Sequence, residues 1–90
     1  MILLNNASAT GDEVVWGGGM GVFACEGTFG GATVTLQYLG PDGTTYRAMG
    51  TDTTLTSGGA GVFIFPPGVI RALVAGGAPS GLYANAEQVK

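Results

Sequence analysis

Breaker residues interrupt this chain so often that a long helix has nowhere to form. Between one Gly, Pro, Asp or Asn and the next, the longest uninterrupted stretch is the eight residues of Ala32–Leu39. Globular helices usually run longer than that, whereas strands of four to eight residues bounded by turn residues fit well. The sequence therefore predicts an all-β chain of about eight or nine short strands.

Ala32–Leu39 is the clearest of them. Val34, Leu36 and Tyr38 alternate with Thr33, Thr35 and Gln37. Period two places these sets on opposite faces, one apolar and one expected to stay wet. Pro41, Asp42 and Gly43 follow with turn chemistry, and Thr44–Met49 returns as the second arm of a hairpin. Tyr38 and Tyr46 are expected to lie close across it.

Further strands are predicted at Ile2–Leu4, Asp12–Trp16, Val22–Glu26, Thr53–Thr56, Val62–Phe65, Val69–Ala75 and Leu82–Val89. "GGGMG" (17–21) and "SGGAG" (57–61) read as the turns between them. The whole chain, 1–90, forms one domain: a small antiparallel β-sandwich or jelly-roll-like barrel.

Composition says how such a domain is held together. Cys25 is the only cysteine and histidine is absent, so neither a disulfide framework nor a zinc site is at hand. Hydrophobic residues make up 46% of the chain and charged ones 10%, against a usual charged share of about 25%. A small domain with so little charge has trouble covering its own surface with polar groups, and other protein subunits are the remaining cover. Only Arg47, Arg71 and Lys90 are positive at a net charge of −3, which predicts no nucleic-acid partner. The apolar run Val69–Ala78 is far short of the ~20 residues that span a bilayer, and "MILLNN" lacks a basic signal-peptide start. No membrane association is expected.

Chemistry is equally sparse. Without histidine no hydrolytic triad can be built. Cys25 follows Phe23-Ala24 and reads as a small buried hydrophobe. Asp42 belongs to its turn, and no spacing pairs the remaining carboxylates for glycosidic chemistry. "WGGGMG" lacks the Lys-Ser/Thr ending of a phosphate loop. No enzyme activity and no cofactor are predicted. Trp16, Phe63, Phe65 and Tyr83 suit a sugar-stacking platform in principle, and core packing accounts for most of them.

"VFIF" is more informative. Val62 and Ile64 fall on one face of their strand, Phe63 and Phe65 on the other, and both faces are apolar. An antiparallel strand normally shows one face to water, so one of these pairs is expected to meet a neighbouring subunit. Val62, Phe63, Ile64 and Phe65 are the interface candidates.

The segments "GTFGGATVTLQYLGPDGTTY", "DTTLT" and "FPPGVIRALVAGGAPSGLYA" together resemble small virion proteins of tailed bacteriophages. The likeness covers about Glu26–Ala86 and includes head decoration (cement) proteins and small tail or fibre components. It implies a sandwich or jelly-roll subunit, a homotrimer, that sits between capsomers on the outer capsid surface and binds the major capsid protein. Synthesis in the host bacterial cytoplasm would suit a lone free cysteine. The resemblance leaves open the alternative of a receptor- or carbohydrate-binding module on a tail. It transfers no catalytic residue.

Overall fold

The computed structural model describes Met1–Val89, and every regular element in it except one short 3-10 turn is a strand. In chain order these are β1 (Ile2–Ala7), β2 (Val14–Trp16), β3 (Gly19–Thr28), β4 (Thr33–Leu39), β5 (Tyr46–Ala48), the 3-10 turn Thr51–Thr53, β6 (Thr54–Leu55), β7 (Gly59–Phe65), β8 (Gly68–Ala75) and β9 (Ser80–Gln88).

Their pairing follows from one reversal. The chain folds back at the Gly40–Thr45 loop, where β4 pairs with β5. Moving outward from that point, β3 pairs with β7, β2 with β8 and β1 with β9, all antiparallel. This is a long hairpin rolled on itself, interrupted only by the two-residue β6 on β4. Contacts of β9 with β3 and of β8 with β4 close the roll into two sheets. The first sheet has the order β1-β9-β3-β7 and the second β2-β8-β4-β5. Nested partners of this kind, divided between two sheets, make a jelly roll.

Alternation fills the space between the sheets. Phe23 and Cys25 of β3 and Leu82, Ala84 and Ala86 of β9 meet Val34 and Leu36 of β4 and Ile70 and Ala72 of β8. Burying each of the larger side chains is worth about 1.5–3 kcal/mol. Trp16 closes one end of this core, and its indole N–H donates to the Phe65 carbonyl at 3.2 Å. At the open side, between β7 and β4, the 3-10 turn acts as the plug and buries Thr53.

The hairpin turn is held by Asp42, whose carboxylate accepts from the Thr45 hydroxyl and from the backbone N–H groups of Thr44 and Thr45. These hydrogen bonds hold its carboxyl well below the usual range. Gly43 takes the positive φ of 76° that the turn requires.

Several expectations are corrected. Tyr38 and Tyr46 do not face each other, because Tyr38 is paired with Arg47 and Tyr46 with Leu39. The loop places the tyrosines one register position apart, and hence on opposite faces. "GGGMG" and "SGGAG" are only partly turns. β3 begins at Gly19 and β7 at Gly59, so glycine here lies within strands, and at Gly21 and Gly61 the neighbours leave no room for a side chain. Gly61 is the sharpest case: an added Cβ would run into the Asp52 carbonyl. Thr53 belongs to the 3-10 turn, not to a strand. Thr35 is buried although it lies on the outer face, flanked by Leu73 of β8 and Thr54 of β6.

Candidate functional site

Strand β7 settles which half of "VFIF" is inside. Phe63 is 6% exposed and packs on Trp16, with ring centroids 4.9 Å apart. Phe65 packs on Tyr38 at 4.8 Å. Val62 and Ile64 point the other way and are 53% and 72% exposed. Of the four interface candidates, Phe63 is core, Phe65 is half-buried against it, and Val62 and Ile64 are surface.

The outward pair is part of something larger. In the β3–β7 register, Met20 lies opposite Ile64, Val22 opposite Val62, and Ala24 opposite Ala60. These three rungs form an uncharged apolar stripe along one side of the first sheet, its end marked by the exposed Met20. Met20 escapes sequence reasoning because the glycines around it look like a turn, and the strand predicted from Val22 onward starts one rung too late to show the stripe. The usable signal is the period-two run Met20, Val22, Ala24, whose alternate positions Gly21, Phe23 and Cys25 are buried.

Beyond β3 the same face becomes polar. Asn85 and Glu87 of β9 follow, with Tyr83 opposite Glu26. Ile2, Asn5, Glu26, Tyr83 and Asn85 line a shallow depression of about 210 Å³. Tyr83 is the one member of the proposed aromatic platform that is well exposed. Trp16 and Phe63 are core, and Phe65 is half-buried against it.

No family model, no curated protein and no solved structure matches this chain. What the surface can do is therefore argued from its own residues.

Cys25 faces the core, and burial pushes its thiol up to about 12, so it stays protonated and unreactive at neutral pH. On the outer face of the second sheet the polar residues are tied to one another. Arg71 Nε–H donates to Gln37 Oε1 at 2.9 Å and its guanidinium lies 3.8 Å from the centre of the Tyr46 ring. The Tyr46 hydroxyl donates to Glu13. These groups are spent on mutual contacts. The bare apolar stripe on the first sheet is the feature that lacks internal use.

Proposed function

We propose that this protein is a structural, non-catalytic subunit of a larger assembly, and that the outer face of its first sheet is the docking surface. The observation that carries this reading is the stripe Met20, Val22, Val62 and Ile64, which a chain this poor in charge leaves open to water. Contiguous apolar surface of this kind marks contact sites for other proteins. Together with the resemblance to phage virion proteins, it makes a head decoration protein on the outer capsid surface the favoured role, with the major capsid protein as partner. Jelly rolls also build capsid and lectin domains, so the fold accommodates the role without choosing it. Copy number in purified phage particles tests the reading. A shell built by symmetry demands on the order of hundreds of copies per head. A few per particle would move the protein to the tail, and absence from particles would end the reading.

A second reading has one observation of its own. Tyr83 presents an aromatic surface beside the amides of Asn5 and Asn85 and the carboxylate of Glu26. That combination suits the face and hydroxyls of a sugar ring. Titration with soluble oligosaccharides, followed by tyrosine fluorescence, should then show saturable binding that Tyr83→Ala removes. Unchanged fluorescence throughout would eliminate it.

A further inference from the structure

The two sheets together expose four edges, and three carry devices that discourage strand pairing. The β1 edge is broken by two register shifts and the positive φ of Asn6. β2 is three residues long, and so is β5, which carries Arg47. β7 differs. It has seven residues, no charge, no proline and no bulge, and it pairs only with β3.

Which β7 groups are free follows from the ladder. Val89 N–H donates to the Met20 carbonyl, so Met20, Val22 and Ala24 turn their backbone groups towards β9. Gly21, Phe23 and Cys25 then turn theirs towards β7, where they meet Phe63, Gly61 and Gly59. The N–H and C=O groups of Ala60, Val62 and Ile64 consequently point off the open edge, and among the described residues none of them has a partner. Asp52 is a charged residue beside this edge: its carbonyl lies beneath Gly61 on the inner face, and it shares a depression with Val22, Ala60 and Val62, without hydrogen bonding to the outward backbone groups.

We infer that the β7 edge pairs with the β7 edge of a second copy of this chain, antiparallel, about a two-fold axis at Val62. The edge is its own complement in this register. Val62 meets Val62 of the second copy and Ala60 meets Ile64, which satisfies all three outward residues with about six N–H···O=C bonds. Size matches on both faces as well. Ile64 lies opposite Ala60 outside, while Phe63 lies opposite Gly61 and Phe65 opposite Gly59 inside. Gly59–Phe65 itself carries no charge, and the flanking Asp52 of each copy is the charged group the pairing brings near the axis. Sliding the pair by two residues one way sets Ala60 against Pro66, which has no N–H to give, and the other way sets Ile64 against Gly58, outside the strand.

The product is an isologous dimer with one eight-stranded sheet, its two apolar stripes joined side by side. It differs from the trimer implied by the phage resemblance and does not depend on what the outer face meets. Seven residues per copy is small beside the roughly 20–30 of a standard interface, so the pairing is a weak one that is best sought at high protein concentration.

Sedimentation equilibrium of the recombinant chain is the test. Wild type should be a dimer at roughly a hundred micromolar, a concentration suited to so small an interface. Val62→Pro removes an N–H that the isolated subunit does not use, so folding should survive, and association should weaken by at least about tenfold. Met20→Lys, on the docking face but one strand in from the edge, should remain dimeric. Val62→Cys supplies a readout that needs no disruptive variant. The two Cα atoms would lie about 5.5 Å apart, within disulfide reach, and mild oxidation should cross-link the dimer. Ile64→Cys, roughly 14 Å from its own copy, should not cross-link. A wild-type monomer or trimer, a dimer indifferent to Val62→Pro, or equal cross-linking at Val62 and Ile64 would each overturn the inference.

Discussion

The outer faces of the two sheets are made by the same alternation and end up with opposite characters. On the second sheet, Gln37, Arg71, Tyr46 and Glu13 link into one polar cluster over the strands. Thr33, Thr35 and Thr54 extend it with hydroxyls, while the exposed Val15 pairs with Val69 on the same face and Leu73 lies opposite Thr35. On the first sheet the β3 and β7 positions are Met20, Val22, Ala24, Ala60, Val62 and Ile64, with no polar atom in their side chains. Buried faces of the two sheets are interchangeable in chemistry, so the core explains neither difference. Where a chain of so few charges spends its polar side chains is the informative choice. It spends them on the second sheet, and the β3–β7 side of the first is left apolar.

The largest expected effect separates inside from outside on a single strand. Phe63 fills the core against Trp16 while its neighbour Ile64 stands in water. Phe63→Ala should lower unfolding free energy by about 3–5 kcal/mol, the usual cost of emptying a buried aromatic site. Ile64→Ala should change it by no more than about 0.5 kcal/mol. Chemical denaturation of both variants makes the measurement. Equal losses would mean that β7 is not divided as described.

The next effect in size breaks the contrast between outer faces. Val62→Ser with Ile64→Ser should cost association with a partner on the order of 2–5 kcal/mol through lost apolar burial. Stability of the isolated subunit should barely change. The matching change on the second sheet, Thr33→Ser with Gln37→Ser, should leave association untouched. Sedimentation of the three proteins, alone and with the assembly they join, compares the faces directly. Loss of association from the second-sheet variant would reverse the assignment.

How much of this was readable beforehand differs between the same regions. β4 announces itself, since Val34 and Leu36 alternate with Thr33, Thr35 and Gln37, and in β8 Arg71 between the buried Ile70 and Ala72 marks the outer face. The Asp42 turn was legible because proline, aspartate and glycine each do a separate job there. Gly19–Gly21 and Gly59–Gly61 were read as turns although they are strand. Glycine signals freedom to turn, and a sequence does not reveal that Asp52 or Trp16 occupies the space a side chain would need. Tyr38 and Tyr46 were placed together because both looked like core residues. The register depends on the length of the loop between them, which pattern alone does not set. The docking stripe suffers from the same blind spot, with half of it hidden in a glycine-rich segment. The open edge is further removed, because strand order is a property of the roll and not of any one strand.

A smaller effect tests whether the polar cluster really covers the second sheet. Replacing Arg71 by Met keeps an unbranched apolar stem and removes the guanidinium with its charge. It abolishes the guanidinium–Tyr46 contact and the hydrogen bond to Gln37. A cation over an aromatic ring at a partly exposed site is worth about 0.5–1 kcal/mol, and the variant should lose about that much stability. Association should stay as in wild type. Denaturant midpoints at constant slope report the first, sedimentation the second. A gain in association would show that the cluster had been masking a second apolar contact surface.

The finest distinction lies in how Tyr46 titrates, because its two charged neighbours pull in opposite directions. The hydrogen bond to Glu13 raises the phenol above its ordinary value, while the positive charge of Arg71 lowers it. Glu13 dominates, so the folded protein holds the Tyr46 proton more tightly than the unfolded chain does. A group raised on folding contributes stability that is fully present below its unfolded pKa, about 10 for a phenol, and lost as pH climbs through the folded value. Tyr46 should therefore support the fold throughout the neutral range and withdraw that support only in strong alkali. Glu13→Gln should bring its ionisation down, and Arg71→Met should push it up. Phenolate absorbance during an alkaline titration reads both shifts, with Tyr46→Phe identifying which of the three tyrosines carries the signal. Shifts of the same sign in the two variants would mean that Glu13 and Arg71 act on Tyr46 through a change of structure. Opposite signs would show three side chains holding one another directly over the second sheet.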